Sequence, residues 1–315
     1  MSKGNKGNKG NRKGSYKGGS GGSYGGGSYK NRSGGSSKSK NAVPGFRHSK
    51  KLGQNFLTDM DVVREIAQGC GAGEDTLVIE IGPGEGVLTE ELADVAGHVT
   101  SIELDERLLP ILRVRLFNKD NVEFIQGDIL ETDLNKLIPE QLAAYNLSEA
   151  RIAGNLPYYI TTPIIMKLLE ENVPAESITI MVQKEVGDRL AAEPGGKDTG
   201  AITYAVHYYC EVTKLLDVGR ECFDPMPKVD STVIRLDKRK APPVETDDVD
   251  RMFRIIKAGF MMRRKTLLNS LSVLPNYDKD GIAAGLEAAG IEANRRAESL
   301  TLSEFATLAN VLIDA

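Results

Sequence analysis

Three carboxylates, Glu80, Glu103 and Asp128, fall at or just past the ends of stretches that read as buried β-strands. Between the first two lies Gly82-Pro83-Gly84-Glu85-Gly86, where glycine removes the Cβ that would hold a ligand off the backbone. In a parallel sheet such a turn stands at the carboxyl end of a strand, where open α/β folds bind ligands. A carboxylate at the end of the second strand, about twenty residues beyond the turn, suits the two vicinal hydroxyls of a ribose. The spacing is G-x-G-x-G, not the G-x-G-x-x-G of dinucleotide binders. Glu85 also puts an anion where a pyrophosphate would need a free helix N-terminus. The expected ligand is therefore adenosine-like and carries no phosphate. S-adenosylmethionine, with a ribose, an adenine and a cationic sulfonium, meets that description, and the turn becomes its methionine-side wall. Any one of these acids alone reads equally well as a solvated loop residue; the set in register makes the case.

A second cluster, Asn155-Leu156-Pro157-Tyr158, follows the fourth strand. An amide, a turn-forced carbonyl and an aromatic ring on one loop suit a flat base bearing an exocyclic amine. The adenine amine is a poor nucleophile because its lone pair is delocalised into the ring. Acceptors at the Asn155 side chain and a nearby backbone carbonyl hold both amine hydrogens and aim the lone pair at a methyl donor, which is catalysis by orientation and electrostatics. Tyr158 stacks on the flipped-out base in this reading. Taken alone, an Asn-Pro turn with tyrosine is an ordinary loop.

The elements that must position these groups follow from apolar periodicity. Asp59 is the expected N-cap of a helix to Gly69, with Val62, Val63 and Ile66 on one face. Strands are expected at 76–81, 99–102, 122–126, 151–154 and 178–182, with helices at about 86–95, 106–117 and 161–171. Alternation of strand and helix requires an α/β fold: a doubly wound, mostly parallel sheet with right-handed crossovers. From Thr203 to Asp237 the apolar runs look β-rich and without crossover helices, so an antiparallel hairpin is expected to close the sheet. After a Pro-Pro and acidic break at 241–250, helices are expected at Asp250–Phe260, Met262–Leu271, Ile282–Ala289 and Ser303–Leu312. The expected organisation is a tail (1–45), a ligand-binding domain (46–240) and a small all-α domain (248–315).

Charge divides the chain differently. Residues 1–51 hold 13 of the 40 Lys/Arg and none of the 44 Asp/Glu, so the net −4 conceals about −17 on residues 52–315. Glycine, serine, asparagine and three tyrosines (Tyr16, Tyr24, Tyr29) fill most of the rest of that segment. With almost no apolar side chains it is expected to be disordered. It reads either as an RNA-contacting arm, through charge and stacking, or as a solubilising extension. It lacks the apolar core of a secretory signal and the amphipathic period of a transit peptide, and no run elsewhere is long enough to span a membrane. Cys70, Cys210 and Cys222 form no C-x-x-C pair, and His48, His98 and His207 join no cluster, so neither a zinc site nor a disulfide framework is expected. The chain is expected to be cytoplasmic and metal-free.

Taken together, Leu52–Leu57, Glu80–Thr89, Ile102–Asp105, Gly127–Leu130, Asn155–Tyr158, Phe223–Ser231 and Phe260–Leu267 resemble, in order, the ribosomal RNA adenine N6-dimethyltransferases over roughly residues 46–310. Gly53, the block Val182–Val186 and Arg263–Leu267 look most like the KsgA branch, which dimethylates two adjacent adenosines near the 3′ end of 16S-type RNA in the small ribosomal subunit. The alternatives are the Erm-type branch, which modifies one large-subunit adenosine, an RNA-binding assembly factor with dispensable methylation, and an NAD-type oxidoreductase, which the glycine spacing and Glu85 disfavour. The resemblance implies a Rossmann-like class I methyltransferase fold and S-adenosylmethionine, without a metal and as a monomer. It implies cofactor contacts from Asn55, Leu57, Gly82, Gly84, Glu103, Asp128 and Asn155. Glu103 takes the ribose hydroxyls, Asp128 the adenine amine, and Asn155 is shared with the target. Leu156, Pro157 and Tyr158 complete the catalytic loop, and Phe223 gives the base a second aromatic face, though on pattern alone it is as readily a core residue. Lys50, Lys51, Arg263, Arg264 and Lys265 are expected to meet phosphates, the last three from a helix. Positive charge is also expected around Lys184 and Arg189. The long basic tail departs from the family pattern.

Overall fold

The structure, a computed structural model, describes Met1 and residues 54–312. Lys50 and Lys51, and the expectation of a disordered tail, lie outside the described residues. The described segment opens with a two-residue strand β1 (Phe56–Leu57) and helix α1 (Met60–Cys70). Asp59 caps α1 as expected, its side chain accepting from the amides of Asp61 and Val62, and Gly71 ends it at φ +67°. The buried face Val62, Val63, Ile66, Ala67 and Cys70 repeats at helical spacing.

There follow β2 (Thr76–Ile81), α2 (Val87–Val95), β3 (His98–Glu103), α3 (Leu109–Arg115), β4 (Val122–Gln126), α4 (Leu134–Tyr145), β5 (Glu149–Asn155), α5 (Thr161–Glu170) and β6 (Ser177–Gln183). Every residue of β2 and β3 is buried. Such strands cannot alternate polar and apolar, because helices cover both faces of a parallel sheet. Next come α6 (Lys184–Ala191), α7 (Ala201–Tyr209), β7 (Cys210–Val218), β8 (Phe223–Asp224) and β9 (Ser231–Lys238). The C-terminal helices are α8 (Val249–Met261), α9 (Leu267–Leu271), α10 (Lys279–Ala288) and α11 (Leu302–Val311).

The main sheet has seven strands in the order β4-β3-β2-β5-β6-β9-β7. Its first five strands pair in parallel, and β9 runs antiparallel to both β6 and β7. The chain winds outward from β2 through β3 to β4, then restarts at β5 on the other side of β2. That reversal makes a crevice at the carboxyl ends of β2 and β5, the place where a doubly wound sheet takes its ligand. A separate pair, β1 with β8, is antiparallel, setting Phe56 opposite Asp224 and Leu57 opposite Phe223.

Two expectations need correction. Thr203–Tyr209 is helical, within α7, and α6 precedes it. The β-branched and aromatic residues of α7 suggest a strand, but Tyr204 and Tyr208 serve a helix whose face is buried in the C-terminal core beside Ile255, Leu267 and Phe305. The Tyr204 hydroxyl donates to the Leu300 carbonyl at 2.6 Å, so tertiary contacts override propensity there. Arg263, Arg264 and Lys265 lie not on a helix but in the turn between α8 and α9. Met262 leaves helical geometry at φ −125°, ψ 67°, and Thr266, extended at ψ 161°, begins α9 anew.

Candidate active site

One cavity occupies the crevice, with about 1110 Å³ of empty space including the open solvent at its mouth. Asn55, Leu57, Gly82, Gly84, Glu103, Asp128 and Asn155 all line it, as do Leu156, Pro157 and Tyr158. They converge because β2, β3, β4 and β5 end at one edge and the segment at β1 lies against that edge, Asn55 meeting Asn155 from 100 positions away.

The glycine turn is fixed from below. The Gly82 amide donates to the Ile102 carbonyl at 3.0 Å, and the Gly84 amide donates to Glu103 Oε2 at 3.2 Å. Gly84 sits at φ +59°, and a Cβ there would come within 2.8 Å of the Phe56 ring. At Gly82, φ +68°, a Cβ would meet nothing within 4 Å, so the absent side chain leaves room for a ligand against the backbone. Glu80, 1% exposed beneath the turn, accepts from the Ser101 hydroxyl at 2.7 Å. Burial, reinforced by the charge of Glu103, pushes its carboxyl up to about 7.

Glu103 ends β3 buried. Its Oε1 accepts the Asp105 amide at 2.8 Å, and burial raises its carboxyl above the ordinary range. With about four acceptor positions on the carboxylate, these backbone amides still leave capacity for a ligand hydroxyl. Asp128 follows β4, with Oδ1 accepting the Leu130 amide at 2.9 Å. Asp105, two residues past Glu103, is a brace that its position in the sequence does not reveal. It accepts from Gln54 Nε2 at 2.9 Å and from the Arg107 guanidinium at 2.6 and 2.8 Å, and Arg107 holds its carboxyl below the usual range. Gln54 and Phe56 also line the cavity, so Asp105 ties the segment that supplies Asn55 and Leu57 to the end of β3. The sequence hints at this brace only through the polar pair Gln54-Asn55 ahead of Phe56 and Leu57.

At the end of β5, Asn155 Nδ2 donates to the Asn55 carbonyl at 3.2 Å. A carbonyl demands a donor, so the amide is oriented with its NH₂ toward Asn55. Oδ1 then has no bonded partner among the described residues. The Pro157 carbonyl already accepts from Ile160 N at 3.2 Å and Thr161 Oγ1 at 3.1 Å. The Leu156 amide donates to Met181 O. The Tyr158 hydroxyl lies 2.8 Å from Ser231 Oγ, and burial raises its phenol.

Other expected site residues are placed elsewhere. Phe223 is 5% exposed, packed in the core cluster of Leu57, Val63 and Met181, and is not among the cavity's lining residues. Arg263, Arg264 and Lys265 are exposed away from the cavity walls, with the Arg263 guanidinium donating to Thr199 O at 3.3 Å. Lys184 is paired with Asp188 and Asp217, and Arg189 with Glu185, so neither is a free cation. Among the described residues no group of three or more His, Cys, Asp or Glu could hold a metal ion, and no helix is long and apolar enough to cross a membrane. The thiols are not activated: burial pushes Cys70 up to about 11 and Cys210 and Cys222 up to about 12.

The chain is similar to known proteins. Residues 45–314 match the family model for ribosomal RNA adenine dimethylase. The chain is 49% identical to ribosomal RNA small subunit methyltransferase A of Geobacillus thermodenitrificans over 272 residues, covering 85% of this chain and 92% of the relative. It is 47% identical to the protein of the same name from Clostridium acetobutylicum, covering 84% and 94%. Among solved structures, the 23S rRNA methyltransferase ErmE superposes with a TM-score of 0.61 at 29% identity, covering 82% of this chain and 99% of that one. A dimethyladenosine transferase from Plasmodium falciparum gives 0.65 at 24%, covering 80% and 95%, a likeness of fold. By the family match and by relatives near half identity across most of its length, the chain belongs to the ribosomal RNA adenine dimethylases.

Proposed function

We propose that the protein transfers methyl groups from S-adenosylmethionine to N6 of two adjacent adenosines in the small-subunit rRNA. The observation that carries this reading is the convergence, in one cavity, of Glu103, Asp128 and the open glycine turn with the oriented amide of Asn155. The donor set suits the cofactor: a buried carboxylate for the ribose diol, a second carboxylate for an amine, and a backbone cradle at Gly82 that any Cβ would fill. When bound, S-adenosylmethionine supplies an electrophilic methyl on a cationic sulfur. Glu103 would hold the ribose hydroxyls, Asp128 the adenine amine, and Asn55 and Leu57 the near wall.

The residues of the β5 loop do the remaining work. Asn155 Oδ1 accepts one N6 hydrogen of the target. The Pro157 carbonyl is already committed to Ile160 and Thr161, so the Leu156 carbonyl is the acceptor for the other. Two acceptors pull electron density from the N–H bonds toward nitrogen and turn its lone pair out of conjugation toward the methyl. Tyr158, steadied by Ser231, gives the base a stacking face. Phe223, the cross-strand neighbour of Leu57, is packed with it in the core beside the site.

The test is transfer of tritiated methyl from S-adenosylmethionine to undermethylated small subunits, beside large subunits. Label is expected in small-subunit RNA alone. Asn155→Ala is expected to lower the rate by about 100-fold or more, the scale of losing one oriented transition-state contact. No label in small-subunit RNA from the wild-type protein would sink the reading.

A further inference from the structure

Tyr159 is absent from every role above, yet it lines the same cavity as Asn155 and Tyr158 and leaves 55% of its surface exposed. The other strongly exposed rings among the described residues, Phe117 and Tyr145, do not line the cavity, and Tyr145 is stacked on His98 with centroids 3.5 Å apart. Tyr158 and Tyr159 differ in how they are held. The Tyr158 hydroxyl is tied to buried Ser231, whereas Tyr159 has no hydrogen bond or ring partner among the described residues. An unpartnered ring in the wall of a site costs hydration of an apolar face unless a ligand covers it.

We propose that Tyr159 is a second stacking platform, taking the adenosine next to the one held at Asn155 and Tyr158. This rests on the reading of the site as an RNA adenine methyltransferase. Adjacency supports it: Tyr159 directly follows Tyr158 and lines the same cavity, so a second ring is available beside the one that takes the target base. Stacking tolerates any base because each has a π face, and it supplies affinity without polar readout. Met226 and Val229 are exposed on the loop that leads into Ser231, the hydrogen-bond partner of Tyr158. The platform would keep the neighbouring adenosine in reach while its partner is modified.

The test compares Tyr159→Ala and Tyr159→Phe with wild type on undermethylated small subunits, reading KM for the subunit, kcat, S-adenosylmethionine affinity, and methyl count at each adenosine by mass spectrometry. Tyr159→Ala is expected to raise KM about 5- to 100-fold, the scale of one lost base–aromatic stack. It should keep cofactor affinity and leave one adenosine of the pair undermethylated at short times. Tyr159→Phe, which keeps the ring, should restore the wild-type KM. Equal KM and equal methyl distribution for Tyr159→Ala and wild type would overturn the platform while leaving the methyltransferase reading intact. No transfer by the wild-type protein would overturn both. Lost cofactor binding in Tyr159→Ala would assign the ring to the cofactor pocket and overturn the proposal.

Discussion

Glu80 shows how a single residue's chemistry is set by its surroundings. It sits under the turn that receives the ligand, 1% exposed, with one hydrogen bond from Ser101 and the carboxylate of Glu103 nearby. Its carboxyl is raised from an ordinary 4.5 to about 7. The folded state therefore binds a proton that the unfolded chain has released, and the linked stability is fully present below pH 4.5. It is lost as pH rises through about 7. At ~1.4 kcal/mol per unit, the loss by pH 8 is roughly 3 kcal/mol, and full burial means solvent screens little of it. Glu80→Gln keeps the neutral form at every pH. Urea denaturation without ligand should show the variant gaining on wild type progressively from pH 4.5 to 8. Parallel stability curves would show that Glu80 is ionised in the folded protein.

Among the elements, the turn between α8 and α9 is the clearest candidate for contact with a polyanion. Arg264 and Lys265 project from it exposed, and no ion pair among the described residues engages them. Arg263 is different, because its guanidinium also holds the Thr199 carbonyl of the loop before α7. Reversing Arg264 and Lys265 together to Glu should raise KM for the small subunit and reduce the slope of log affinity against log salt by about 1.5, the loss of two phosphate contacts. Exposed positions away from the core should leave stability within about 0.5 kcal/mol. Unchanged salt dependence would remove this turn from the RNA interface. Its helical appearance in the sequence is instructive. Met262–Leu271 carries a helical period, yet the chain breaks at Met262 and restarts at Thr266, and no residue there announces the break. By contrast, β2, the glycine turn and the acids of β3 and β4 were legible, since buried strands and positive-φ glycines leave compositional marks. α4, carrying Pro139 in its interior, had no element assigned to it from the sequence. The two-residue pairing of β1 with β8 left no trace, because it joins residues over 160 positions apart and only the fold brings them together.

For the whole molecule the question is how an acidic body holds RNA at all. Phosphate contacts supply most of the affinity for a nucleic acid, yet residues 52–315 carry 27 Lys/Arg against 44 Asp/Glu. Within the described residues much of the positive charge is internally committed: Lys184 and Lys214 share Asp188 and Asp217, Arg151 pairs with Glu149, and Arg295 with Glu304. Cations answered by neighbouring acids contribute little long-range field. The densest run of positive charge in the sequence is the N-terminal segment, where residues 1–40 hold ten Lys/Arg and no acid. Deleting residues 1–40 should therefore weaken binding to small-subunit RNA most at low salt. If four of those ten cations meet phosphates, the salt slope should fall by about 3. The rate at saturating subunit and the affinity for S-adenosylmethionine should stay at wild-type values, because, among the described residues, those lining the cavity begin at Gln54. Binding titrations across 50–300 mM salt, paired with single-turnover methyl transfer, separate the two effects. An unchanged slope would reduce the tail to a solubilising extension, and lost cofactor affinity would place part of it in the active site.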